Sequence, residues 1–221
     1  MRSLDFRGKP AKDDETYRQY QRRNSFGLDL ERKIHRIFQK DFYEKDVSDG
    51  FSTLPRATAS AWKDPLENPL ENITVVDHVT RSPIHLGSLV NSFYALCWTK
   101  RTNPTHSDWE NFSHQKEAIR VTTSVGKLMD RVMRLDDSGY MHRSWLIDVE
   151  YKDPYFIRMM QNPTGVYGRV ESTGALLALS AAVVRQDFCD EEEVRLLFDN
   201  SIIPAWSEVI ACNDSDLNSS H

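Results

Sequence analysis

The chain has 221 residues, 39% hydrophobic and 28% charged, with a net charge of −5 and a pI of about 5.8. That composition supports one domain with a real core and a solvated surface. It argues against a broad nucleic-acid footprint, which requires a basic face. Three dispersed cysteines, Cys97, Cys189 and Cys212, show no C-x-x-C spacing. A disulfide framework or a zinc site on paired cysteines is therefore not expected, and free thiols fit a reducing, cytoplasmic setting. The polar start, Met1 to Asp5, does not read as a signal peptide, and no apolar run approaches the roughly 20 residues of a membrane helix.

In chain order, residues 1–27 read as a polar lead-in, loose or helical, and residues 28–212 as a single domain. Leu30, Ile34, Ile37 and Phe38 recur at three- and four-residue steps, which predicts a helix from Leu28. Asp49-Gly50 marks a turn, followed by a short strand at Phe51–Leu54 that ends at Pro55. The segment from Ala61 to Asn72 carries two prolines and reads as a loop or a short helix starting at Pro65, capped by Asp64. Strands are expected at Ser92–Thr99, Ala118–Thr123, Trp145–Tyr151 and Glu192–Phe198. Helices are expected at Ser124–Met133, with Val125, Leu128, Met129 and Val132 inward, and at Thr173–Val184. Turns and a mobile loop fill 152–172, and the tail 213–221 frays. Strands and helices mix without a βαβ rhythm, which predicts an α+β fold with a mixed, largely antiparallel sheet.

Four clusters carry possible chemistry. On a strand, Glu191, Glu193 and Arg195 would share a face. Two such carboxylates raise each other's pKa unless Arg195 or a ligand compensates, and they suit holding a ribose hydroxyl or an oxocarbenium cation. The plain alternative is a solvated strand start with Arg195 in a surface ion pair. Trp62, Asp64, Glu67 and Asn68 combine a stacking ring with hydrogen-bonding groups, or form a capped loop with Trp62 in the core. Trp98 and Trp109 are core, rim or ligand contacts. Arg120, followed by Thr122, Thr123 and Ser124, either clamps a phosphate or neutralises a glutamate. No phosphate-binding glycine loop, nucleophile elbow or H-E-x-x-H occurs, and the seven histidines lack metal-site spacing.

The ordered set His35-Arg36-Ile37-Phe38, Leu54-Pro55, Trp62-x-Asp64-Pro65-x-Glu67-Asn68, Cys97-Trp98-Thr99, Asp108-Trp109, Arg120-x-Thr122-Thr123, Val149-Glu150-Tyr151 and Arg185-x-x-Phe188-x-x-Glu191-x-Glu193-Val194-Arg195 resembles the bacterial domain-of-unknown-function family 2971. Leu66 stands where that family has Phe, and Asp108 and Trp109 are adjacent rather than spaced. The late Glu-x-Glu also resembles the catalytic motif of ADP-ribosyltransferases. That resemblance implies an ADP-ribosyltransferase-like fold and NAD as substrate. Glu193 would stabilise the oxocarbenium-like transition state, and Glu191 would orient the acceptor, which is a protein, a nucleic acid or water. Trp62 or Trp98 would stack on nicotinamide, and Arg120 or Arg195 would hold the pyrophosphate, with Asp64, Glu67, Trp109 and Thr123 as further cofactor contacts. An ADP-ribosyltransferase or NAD glycohydrolase of this kind would act as a toxin or defence effector. Two other readings stand beside it. A binding module would tie Glu191 and Arg195 into structural ion pairs with no cleft, and a nucleic-acid enzyme would show a basic groove across Arg120 and Arg195.

Overall fold

The computed structural model describes residues 14–49, 51–53, 64, 66–67, 70–77, 79–87, 91–113, 115–133, 143–162, 174–200 and 209–211. Trp62, the Leu54-Pro55 strand end, Cys212, the 163–172 part of the expected loop and the tail 213–221 lie outside them.

The molecule is built on a mixed six-stranded sheet of β1 (Ser25–Phe26), β2 (Lys33–Gln39), β6 (Phe93–Thr99), β7 (Ala118–Ser124), β8 (Ser144–Asp148) and β11 (Glu193–Asp199). Their order across the sheet is β1-β8-β11-β6-β2-β7. Every pairing in it is antiparallel except that of β1 with β8. Three small ribbons complete the strands among the described residues. They join β3 (Phe51–Thr53) to β12 (Val209–Ala211), β4 (Thr74–Val76) to β5 (Pro83–His85), and β9 (Glu150–Lys152) to β10 (Val183–Arg185).

Both faces of the sheet centre are covered, so β11 is buried along Glu193–Phe198 rather than alternating with solvent. On one face Val194, Leu196 and Phe198 meet Tyr20 of α1 (Asp14–Asn24) and the apolar side of α4 (Val125–Val132). Ser124 caps α4, its side chain accepting from the Lys127 N–H, and Val125, Leu128, Met129 and Val132 are buried as the periodicity predicts. On the other face Ala95, Ile147 and Leu197 pack with Leu70, Ile73 and Leu86 and with α6 (Ala175–Ser180). That helix leaves the β2–β7 end of this face to α3 (His106–Ser113). Among the described residues no helix is long and apolar enough to cross a membrane.

Several expected elements are corrected. The helix from Leu28 is instead β2, which pairs with β7 from Lys33↔Ser124 to Gln39↔Ala118, and helix α2 begins only at Lys40 and runs to Asp49. Ile34 and Phe38, four residues apart, share a side in either structure, so their spacing could not separate helix from strand. The Trp145–Tyr151 strand breaks at Val149, where the chain leaves β11 and pairs with β10 as β9. The Thr173–Val184 helix stops at Ser180 and becomes β10. Inside the expected 152–172 loop, Asp153 caps α5 (Pro154–Met160), with its side chain accepting from the Tyr155 N–H and Pro154 in the first turn.

Leu196 lies at the middle of this arrangement, 1% exposed between β6 and β8. Leu196→Ala is expected to lower unfolding free energy by about 2–5 kcal/mol, as buried Leu truncations do, seen as a lower urea midpoint at unchanged m-value.

Candidate functional site

Strands β2 and β6 share a single bridge, His35↔Thr99, whereas β2 and β7 pair along their whole length. The sheet therefore splits between β6 and β2, and a cleft of about 200 Å³ opens over the split. Its floor carries His35 and Ile37 from β2, Cys97 from β6, and Glu193 and Arg195 from β11. Asp108 and Phe112 of α3 form one wall, and Glu67 and Glu191 another.

Arg195 organises the acidic side. It is 1% exposed and donates from Nε to Glu193 Oε1 at 2.8 Å and from Nη2 to Glu193 Oε2 at 2.9 Å. Nη1 reaches the Ala181 carbonyl at 2.7 Å, and Nη2 reaches Glu67 Oε2 at 3.4 Å. Burial alone would raise the Glu193 pKa, but the guanidinium outweighs it and holds the carboxyl below its ordinary range. Burial pushes Glu67 up, against the pull of Arg195. Burial also raises the Cys97 thiol, which hydrogen-bonds Glu193 and remains protonated. The Glu193 N–H donates to Tyr151 Oη at 2.7 Å, fixing the strand start from below.

Glu191 does not share the strand with Glu193. It ends a 3-10 turn, Gln186–Glu191, and Glu192 then takes a left-handed φ of 45° before β11 begins. Thr99 Oγ1 donates to the Glu191 carbonyl at 2.6 Å, pinning the backbone to β6. The residue is exposed, yet its carboxyl lines the cleft. Desolvation there, then the Glu193 and Glu67 charges, push it up to about 7.

The opposite side is basic. Arg120 donates from Nη2 to the carbonyls of Arg101 and Thr102, at 3.0 and 2.6 Å, and so anchors the segment leading into α3. Arg101 pairs with Asp108 at 2.9 Å. Thr105 and Asp108 form a reciprocal cap: the Thr105 N–H donates to Asp108 Oδ2 at 2.7 Å, and the Asp108 N–H to Thr105 Oγ1 at 3.2 Å. Desolvation opposes ionisation of Asp108, but these Thr105 bonds and Arg101 prevail and depress its pKa. His35 Nδ1 lies 2.9 Å from Thr122 Oγ1. Its burial, followed by the nearby Arg120 charge, depresses its pKa to about 4, so its imidazole is neutral at pH 7.

No family model, curated protein or solved structure matches the chain. Its chemistry is therefore read from the cleft itself. Of the candidate site residues, Glu67, Trp98, Arg120, Glu191, Glu193 and Arg195 line it. Trp98 does so from the core: it is 5% exposed, its ring at 77° to that of Phe38 with centroids 6.1 Å apart. Three others lie off the lining. Thr123 is buried on the far face with Ile34, and the hydroxyl that alternation turns toward Arg120 is that of Thr122. Asp64 is tied to Arg185 and caps the turn to Leu66, its Oδ1 accepting from the Leu66 N–H at 3.0 Å. Trp109 sits on α3 away from the cleft lining, which takes Asp108 and Phe112 from that helix instead. Arg195, being buried, cannot join Arg120 in an exposed basic groove. Sequence reasoning missed His35, Cys97, Phe112 and Tyr151. Once 33–39 is a strand, the alternation brings His35 to the cleft; Tyr151 stood only inside the resemblance motif Val149-Glu150-Tyr151, with no role given to it.

Two outcomes test this electrostatic picture. Arg195→Met leaves the Glu193 charge buried without its partner and is expected to cost about 3–5 kcal/mol, with the Arg195→Met/Glu193→Met double variant recovering much of it by chemical denaturation. The unfolded His35 pKa of 6.5 lies above the folded value of about 4, so the unfolded chain takes up the extra proton between them. Stability is therefore lost as pH falls from 6.5 toward 4, and His35→Gln should flatten that part of a stability–pH curve.

Proposed function

We propose that the cleft cleaves the nicotinamide–ribose bond of NAD, as an ADP-ribosyltransferase or NAD glycohydrolase, with Glu191 taking the proton of the acceptor. The observation that carries this reading is the pair of unlike carboxyls on one cleft: Glu193 fixed as an anion by Arg195, and Glu191 poised near 7 beside it. Divergent pKa values on neighbouring acids mark an acid–base assignment.

The chemistry balances with these groups. The C1′–N bond breaks and its electron pair leaves with nicotinamide, which departs neutral because the bound ring is a pyridinium. Positive charge then develops on the ribose. Glu193 lies where a carboxylate stabilises that charge or accepts from a ribose hydroxyl, using lone pairs that Arg195 leaves open. The acceptor oxygen bonds C1′ and its proton passes to Glu191. Arg195 is engaged, which leaves Arg120 as the phosphate-holding candidate. At about 200 Å³ the cleft is smaller than the ~300–1,000 Å³ of common ligand pockets, which suits the nicotinamide riboside end with the phosphates outside. A binding module is the second reading, favoured by the tie between Arg195 and Glu193. It predicts ligand binding without turnover.

Wild-type protein incubated with NAD should release nicotinamide, with kcat/KM falling as pH drops below about 7, where Glu191 is protonated. Glu191→Gln should lower the rate about 10²–10⁴-fold and abolish that pH limb. Release unaffected by Glu191→Gln overturns the assignment. NAD binding by calorimetry with no release favours the binding module, and neither binding nor release removes both.

A further inference from the structure

Two apolar side chains line the cleft without belonging to any core: Ile37 and Phe112. Among the described residues, neither is part of the three apolar clusters or of the side chains packed against them. Phe112 is 47% exposed and makes no ring contact with a described residue. The other exposed phenylalanines are covered. Lys116 Nζ lies 5.9 Å from the Phe42 ring centroid, and Lys152 Nζ lies 5.1 Å from that of Phe156.

The fold turns Phe112 toward the sheet. It stands four residues after Asp108 on α3, so the two share one face of the helix, and both line the cleft. Helix α3 lies over β2. On β2, Ile37 has the parity of His35 and points to the same side. The ladder partner of Ile37 is Arg120, whose guanidinium holds the Arg101 and Thr102 carbonyls. That draws the segment carrying Pro104, a third lining residue, to the same stretch of ribbon. Ile37 is thus the base of a slot, with Pro104 and Phe112 on the α3 side.

Size limits what the slot takes. The cleft holds about 200 Å³. An apolar cavity of about 150 Å³ accepts a benzene-sized ring, so there is room for one ring with a small substituent. There is none for a polypeptide helix roughly 10–12 Å across. A phenyl face in a concave wall gains from a second ring, through buried area and through the stacked or edge-to-face contact itself. We infer that Ile37, Pro104 and Phe112 form a subsite for a single flat aromatic or heteroaromatic ring, with Phe112 as the residue that tells a flat ring from a puckered one. Under the NAD reading that ring is nicotinamide. The slot is defined by packing alone, however, and binding tests it without turnover.

The experiment is an NMR titration of isotope-labelled protein with benzamide and with cyclohexanecarboxamide, which share a carboxamide and differ in ring flatness. Wild type is compared with Phe112→Leu and Phe112→Tyr. Phe112 is half exposed and outside the core, so both variants should fold, which thermal unfolding checks. Benzamide should bind saturably, with NOEs from its ring protons to the Phe112 ring and the Ile37 methyls. Phe112→Leu should weaken benzamide about two- to tenfold, the worth of an aromatic pair beyond its area, and Phe112→Tyr should keep it within about twofold. Cyclohexanecarboxamide should bind more weakly and be indifferent to Phe112→Leu. The inference is overturned if benzamide does not saturate, if its NOEs fall elsewhere, if Phe112→Leu binds it as wild type does, or if the two carboxamides bind alike. It is also overturned if the Phe112 signals move with protein concentration alone, which marks contact with a second copy. Should a variant fail to fold, the wild-type NOEs decide. Benzamide bound at Phe112 with no nicotinamide release from NAD keeps the subsite and removes the NAD reading; release without benzamide binding does the reverse.

Discussion

The guanidinium of Arg195 joins three segments that the chain order keeps apart: β11 through Glu193, the end of α6 through the Ala181 carbonyl, and the 64–67 turn through Glu67. A cation at the C-terminal end of a helix is favourable in itself, and here it also satisfies a carbonyl that the helix leaves open. A pair this buried adds little net stability compared with apolar side chains of the same size. What it contributes is position. A strand, a helix end and a turn are all referred to one planar group whose donors point in fixed directions.

The second constraint is the parting of β2 from β6. Four strands form a unit buried on both faces, and β2 with β7 forms a ribbon that touches it through one bridge. The ribbon is held from the other side by α3, to which Arg120 and Arg101 bind the preceding segment. A continuous sheet would have covered Cys97 and the base of Arg36 with backbone. The split leaves side chains of four strands facing a common space, which is how a sheet with few loops at this end makes a cleft.

The central strands were legible because they are short apolar runs with β-branched and aromatic residues, and α4 because four apolar residues recur at helical spacing after a serine cap. The first strand of the ribbon was not, because Ile34, Ile37 and Phe38 satisfy a helical period and only the distant partner β7 selects the extended form. Glu193 and Arg195 could be placed on one side of a strand by parity. Their tie to Ala181 and Glu67 comes from tertiary packing, which leaves no local pattern. Tryptophan misled for a related reason. Trp98 is a large ring at a strand end, and it is buried in the core beside Phe38.

Glu192, with its left-handed backbone, lies between the two carboxylates and divides them mechanically. Glu193 belongs to a strand whose every neighbour is packed, so change there is filtered by folding. Glu191 rides on a single turn fastened by the Thr99 hydroxyl and by the bond from the Lys100 N–H to the Glu192 carbonyl. Insertions or exchanges in that turn leave the sheet intact. A lineage carrying this fold can therefore alter the reach and acidity of one carboxyl while the other stays where it is. Variation among descendants should accordingly collect on the turn before the strand, with the strand itself the slower part to diverge.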